Sequence, residues 1–274
     1  MARRSQPPRP LTELSPATLA ALRFVLTDID DTLTDDGRLP ARAYAALEDL
    51  QAAGVVVIPV TGRPAGWCDL IARLWPVDGV VGENGALAFS YERGQRRMRR
   101  VYRDPAPLRA DNRERLDRLV ADLAVAVPRA RLASDQAYRE CDVAIDICED
   151  LEPHLSEDEI AAITDFLVAG GATLRRSSIH LNAWFGEYDK LAMARRLLGE
   201  LFDTAVDGSL NAIAYVGDSP NDGSMFAHFP ISVGVANVGA YLDGMADPPA
   251  FLCAQPGARG FAEFAARVLA ARAR

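Results

Sequence analysis

Phe24–Thr27 is a short apolar run that breaks off abruptly into Asp28-Ile29-Asp30-Asp31-Thr32. A stretch this brief, uncharged and then suddenly acidic, reads as a strand buried on both faces with its carboxylates emerging at the C-terminal end. The rhythm continues down the chain. A helix from about Ala41 carries Tyr44, Leu47 and Leu50 on one face, and Gly54 opens the strand Val55–Val60, which stops at Thr61-Gly62. Trp67, Leu70, Ile71 and Leu74 then form the i, i+3, i+4, i+7 stripe of a core-facing helix. That helix ends before Pro76, and Val80-Val81 supplies a third strand. Strand–helix–strand at this cadence predicts a parallel sheet with helices on its faces.

The middle of the chain has a different grain. Residues 87–103 read as two adjoining strands joined at Arg93-Gly94, and Leu116, Leu119, Val120 and Leu123 mark a helix at about 112–126. Cys141, Val143, Ile145 and Ile147 alternate with Asp142, Ala144 and Asp146, the pattern of a half-buried antiparallel strand. Ser156 and Glu159 form a capping box before a helix bearing Ile160, Ile163, Phe166 and Leu167, and a last alternating strand runs from Ser177 to Trp184. After Lys190 the βα cadence returns, with the strands Ala212–Val216 and Ile231–Val235 and a closing helix carrying Phe261, Phe264, Ala265 and Val268. The expected organisation is a flexible N-terminal segment over 1–20, an α/β core over 21–86 and 185–274, and an inserted α+β cap over 87–184.

In parallel α/β sheets chemistry gathers beyond the carboxyl ends of the strands, and four polar clusters sit there. Asp28 and Asp30, two residues apart, repel each other unless a cation lies between them, and an all-oxygen site suits magnesium. An acidic turn with capping duties is the plainer alternative. Thr61-Gly62-Arg63 offers a hydroxyl and backbone N–H groups at a helix N-terminus, an anion site or an ordinary N-cap. Lys190 stands where a cation opposes the helix dipole, a cost that a bound anion would offset, although a solvated lysine accounts for it as well. Gly217-Asp218-Ser219-Pro220-Asn221-Asp222 adds two acids able to complete a metal shell and brace it, or to form an Asx-rich turn. Four such coincidences in order, at successive strand ends, favour the catalytic reading.

The ordered set resembles the haloacid dehalogenase superfamily, in the branch (subclass IIB) whose larger cap is inserted after the second motif. Asp28, Asp30 and Thr32 match its DxDxT signature, Thr61 its second motif, Lys190 its third, and Asp218 and Asp222 its GDxxND fourth; Ser219-Pro220 departs from the residues common there. The resemblance implies a parallel-sheet core, a phosphoryl-aspartate on Asp28, and Asp30 as general acid–base. It also implies Mg2+ held by Asp28, the main-chain carbonyl of Asp30, and Asp218, with Asp222 in support, and Thr61 and Lys190 on the phosphoryl oxygens. Thr32, Gly62, Arg63 and Asn221 complete the expected phosphate surroundings. The implied activity is that of a sugar-phosphate phosphatase, with a phosphomutase as the nearest alternative.

Substrate selection is expected from the cap. Alternation places His180, Asn182 and Trp184 on one strand face, two hydrogen-bonding groups beside an aromatic ring, as a polyol requires. Glu83-Asn84-Gly85, leading into the cap, is a second candidate, or else a hinge enabled by Gly85. Other classes of function fit less well. A net charge of -8 argues against a nucleic-acid partner, even with the local run Arg96, Arg97, Arg99, Arg100 and Arg103. No stretch approaches the roughly 20 apolar residues of a membrane span. Met1–Ser15 lacks a signal-like apolar core and Cys68, Cys141, Cys148 and Cys253 are scattered, so a cytoplasmic protein with reduced thiols is expected. A phospho-accepting receiver module would be about half this length with its aspartate after the third strand, and a silent sugar-phosphate sensor would not need every charged position.

Overall fold

The computed structural model describes residues 7–177 and 179–273. In chain order the elements are β1 (Arg9–Pro10), α1 (Pro16–Ala20), β2 (Phe24–Thr27), α2 (Ala41–Ala52), β3 (Val56–Pro59), α3 (Ala65–Leu74), β4 (Val80–Gly82), β5 (Leu87–Glu92) and β6 (Arg97–Tyr102). Then come α4 (Ala106–Ala126), β7 (Val143–Asp146), α5 (Glu157–Ala169), β8 (Thr173–Arg176) and β9 (His180–Trp184). The chain closes with α6 (Lys190–Phe202), β10 (Ile213–Gly217), α7 (Gly223–His228), β11 (Ile231–Gly234), β12 (Phe251–Leu252) and α8 (Gly257–Arg272). Six strands form one parallel sheet in the order β1-β12-β11-β10-β2-β3. β2 and β10 lie side by side near its centre, so Asp28 and Asp218 leave the sheet together. β2 is buried along its whole length, as expected of a strand covered on both faces.

Three expectations are corrected. The lead-in is not loose over its described part: β1 pairs with β12, α1 packs on α8, and Leu11, Leu14 and Leu19 are buried. Residues 1–6 lie outside the described residues. Helix α3 turns a different face inward: Ala65, Cys68, Ile71 and Ala72 are buried, whereas Trp67, Leu70 and Leu74 are exposed. Small residues win because the sheet approaches closely; a Cβ at Gly82 would lie 2.3 Å from Cys68 Sγ. Finally, β4 joins the parallel sheet through the isolated bridge Val60–Val81 and heads the antiparallel sheet β4-β5-β6. Leu87 and Phe89 pack into the main core, so the hairpin 87–102 belongs to the core rather than to the cap.

The cap's own hydrophobic cluster spans residues 116–185. Its sheet, β7-β9-β8, is antiparallel, with Val143, Ile145, Leu181 and Ala183 against α4 and α5. The alternate residues Ala144, Asp146, His180 and Asn182 therefore share the opposite face, which looks onto the α/β core. Ser156 and Glu159 make the expected capping box of α5. Among the described residues no helix is long and apolar enough to cross a membrane.

Candidate active site

The centre is built from three strand ends and one helix start. Asp28, following β2, is fixed by its N–H donating to the Val216 carbonyl (2.9 Å). Lys190, the first residue of α6, donates Nζ to Asp28 Oδ1 and to Asp222 Oδ1, both at 2.7 Å. The helix start itself is capped by Asp189, which accepts from Ala192 N–H at 2.8 Å. Asp222 is saturated: one oxygen takes Lys190 and the Tyr215 hydroxyl (2.5 Å), the other the N–H groups of Asp218 (3.0 Å) and Ser219 (3.3 Å). It thus braces the Asp218 loop from beneath. Thr32 Oγ1 (3.3 Å) and Asn237 Nδ2 (3.2 Å) donate to the two oxygens of Asp218 and fix its plane. Asn221 Oδ1 lies 3.4 Å from Lys190 Nζ.

Electrostatics here call for a further cation. Carboxyl oxygens of Asp28, Asp218 and Asp222 lie within 4.8 Å of one another, all buried. Three carboxylates against the ammonium of Lys190 leave two negative charges. Burial pushes both Asp28 and Asp218 well above the usual carboxylate range; Asp222 adds to this, and Lys190 opposes it. The two carboxylates in turn keep the Lys190 ammonium charged despite its burial. A divalent ion would cancel the remaining charge, and an oxygen-only donor set fits magnesium.

Asp30 is turned away from this cluster. Arg63 grips its carboxylate from the side, with Nε at 2.9 and 3.1 Å and Nη2 at 2.8 Å. The Arg63 guanidinium lies 4.5 Å above the Trp67 ring and holds carboxylates, while the residue lines the space over Asp28 with Gly62 and Asn221. The same Nη2 meets Glu149 Oε1 at 2.8 Å, and Nη1 lies 3.6 Å from Asp135 Oδ2. Thr61 is buried, its Oγ1 accepting from Arg63 N–H (3.1 Å), which leaves its own proton free to donate. The neighbouring Gly62 lends its carbonyl to Arg139 Nη1 (2.9 Å).

Glu83 and Asn84 join the cap to the core. The buried Glu83 carboxylate accepts from Ala65 N–H (2.9 Å) at the start of α3 and from Glu140, Cys141 and Asp142 N–H groups (2.9, 2.6 and 3.1 Å) of the cap. Burial and the neighbouring Asp142 raise its pKa to about 7, against the pull of those N–H bonds and Arg139. Asp142, also buried, accepts from Arg139 (3.0 Å), Asn182 (3.0 Å) and Asn84 (3.5 Å). Gly85 permits the turn: its φ is +103°, and a Cβ there would sit 2.1 Å from the Asp189 carbonyl.

His180 and Asn182 line the space above Asp28 and Asp30, together with Gly62, Arg63, Ser219 and Asn221. Asn182 is committed to Asp142, while His180 Nε2 is 2.9 Å from Glu149 Oε2, though not in line for a hydrogen bond. Burial raises the Glu149 pKa, but His180 and Arg63 outweigh it and hold it down to about 2. The space itself is only about 10 Å3, the size of one water. Beside it, sharing Asn221, is a cavity of about 380 Å3 bordered by Lys190, Trp184, Asn84, Asp189 and Ser224. Sequence reasoning missed Tyr215, Asn237, Asp135, Arg139, Asp142 and Glu149. Of these only Asp142, a charge alternating with apolar residues along a strand, carried a signal.

Fold and site define a capped parallel α/β protein with an acid–lysine–acid centre at its strand ends. Residues 25–102 match the sequence profile of the haloacid dehalogenase-like hydrolases. No curated protein matches the chain. Among solved structures, a protein of Thermoplasma acidophilum is 17% identical, with a TM-score of 0.67 over 90% of this chain and 98% of that one. The sucrose-phosphatase of Synechocystis sp. PCC6803, solved with sucrose and phosphate, is 16% identical, with a TM-score of 0.62 over 89% and 97%. A trehalose-6-phosphate phosphatase related protein is 16% identical, with a TM-score of 0.60 over 90% and 97%. At these identities the likeness is one of fold. The chain thus resembles haloacid dehalogenase-like hydrolases in sequence over 25–102, and it shares the fold of these solved structures over about nine-tenths of its length.

Proposed function

We propose that the chain is a magnesium-dependent phosphatase that hydrolyses a small phosphorylated metabolite, a sugar phosphate by class, through a phosphoryl-aspartate on Asp28. The observation that carries this reading is the buried triad in which Lys190 bridges Asp28 and Asp222 at 2.7 Å while Asp218 stands within 4.8 Å. Asp28 and Asp218 would hold the metal, with Asp222 bracing them, and the bound ion would neutralise charge on the transferring phosphoryl group. Lys190 holds Asp28 in place for attack and supplies positive charge beside it. As the Asp28–phosphorus bond forms, the ester P–O bond breaks, and Asp30 protonates the departing alkoxide. Asp30 then takes a proton from water, whose oxygen attacks phosphorus, releasing phosphate and restoring Asp28. The Thr61 hydroxyl, with its proton free, donates to a phosphoryl oxygen.

The aromatic and amide lining of the 380 Å3 cavity favours a polyol leaving group, as does a fold shared with a sucrose-phosphatase and a trehalose-6-phosphate phosphatase related protein. Because the space over Asp28 admits about one water, substrate entry requires the cap to lift. The test is phosphate release from a panel of sugar phosphates and other phosphometabolites. Turnover that needs Mg2+, stops with EDTA and is lost in Asp28→Asn is the expected result. No release, with sugar phosphates isomerising once a bisphosphate is added, would instead identify a phosphomutase.

A further inference from the structure

We propose that Glu149, on the loop following β7, is a positioning residue for Asp30, acting through Arg63, so that the acid–base group is set in place by the docked cap. The inference rests on the phosphatase reading above and assigns one cap residue a part in it. Arg63 is the physical link. Its Nε and Nη2 hold Asp30 of the core, while the cap supplies Glu149 at 2.8 Å and Asp135 at 3.6 Å. The Trp67 ring closes one face of the guanidinium. A guanidinium is planar and its donors diverge in fixed directions. Fixing its outer edge with Glu149 therefore fixes the direction in which its inner edge presents Asp30. Glu149 also stands 2.9 Å from His180 Nε2, on the strand that walls the site. With the cap lifted, Arg63 loses two of its three carboxylate partners, and Asp30 is then held by an arginine free to swing.

General acid–base catalysis is worth roughly 10²–10⁴-fold, so mis-setting Asp30 without removing it forfeits a part, about 10–100-fold. The experiment compares wild type, Glu149→Gln and Glu149→Asp on a sugar phosphate that the wild type turns over and on p-nitrophenyl phosphate. The nitrophenolate leaves without a proton, so its first step does not need Asp30 as acid. Expected are a kcat for the sugar phosphate about 10–100-fold lower with KM within about threefold, and an unchanged pre-steady-state nitrophenolate burst rate. The second variant keeps the carboxylate but shortens its reach, and should fall between the other two. In an Asp30→Asn background, Glu149→Gln should cost nothing further. Equal losses in the burst and in sugar-phosphate turnover would mean general damage and would overturn the proposal, as would no loss in either. A wild type inactive on both substrates would refute the phosphatase reading, and the inference with it.

Discussion

Replacing Lys190 with methionine keeps most of the side-chain volume but removes the ammonium that sits between Asp28 and Asp222. That ammonium is about 3% exposed and makes both contacts at 2.7 Å. Removing one partner of such a buried pair costs about 3–5 kcal/mol, because the charge left behind has lost water and gained nothing. For a chain of this length each kcal/mol lowers Tm by about 2–4 °C, so Lys190→Met should melt roughly 6–20 °C below wild type in EDTA. The loss should couple to Asp222. In Lys190→Met/Asp222→Asn the stranded carboxylate is neutral, and the double variant should be about 0.5–3 kcal/mol more stable than the sum of the single losses. Mg2+ should also raise the Tm of Lys190→Met more than that of wild type, since one more negative charge awaits it. Circular dichroism melts with EDTA and with millimolar Mg2+ read all three effects. A Lys190→Met protein melting within about 2 °C of wild type in both conditions would refute the charge accounting, and with it the argument that these acids need a cation.

The charged turns of the candidate site were legible because each breaks an apolar run at a strand end, where a buried strand has no other reason to carry charge. Asp28, Lys190, Asp218 and Asp222 do converge. What pattern could not supply was the direction a polar face looks. Asp142 and Asp146 read as the solvated half of an alternating strand, yet that face, shared with the substrate candidates His180 and Asn182, is roofed by the core, and Asp142 is fully buried. Arg139, Asp135 and Glu149 lie in turns and loops, where no periodicity marks a paired charge; Arg139 and Asp135 pair with each other inside the cap, and only the approach of cap to core brings Asp135 and Glu149 to Arg63. Phase was the second gap. In α3 two stripes overlap at Ile71, and hydrophobicity favours the one with Trp67 and Leu74. Packing takes the small residues instead, because a bare Gly82 faces Cys68. Likewise Pro7, Pro8 and Pro10 looked like a linker, although Leu11, Leu14, Leu19 and Leu22 are all buried.

The docking of that N-terminal segment is open to a direct test. Leu19→Ala should cost about 2–4 kcal/mol by urea unfolding, the ordinary loss for a buried leucine, whereas an effect below about 0.5 kcal/mol would restore the detached lead-in. The cap hinge should respond to pH through Glu83. Its pKa rises from 4.5 to about 7 on folding, so the folded protein binds the proton more tightly than the unfolded chain. Stability from this group is then fully present below about pH 4.5 and declines as pH rises through 7. At 1.36 kcal/mol per unit, the decline reaches about 3 kcal/mol at most. The ionised carboxylate still accepts four backbone N–H bonds, so the clasp should loosen rather than vanish. Native-state hydrogen exchange at Glu140, Cys141 and Asp142, corrected for intrinsic rates, would report the opening free energy where the clasp acts. It should be smaller at pH 8 than at pH 5.5. Protection that grows with pH would mean that the N–H bonds outweigh burial and Asp142, and that Glu83 stays ionised throughout.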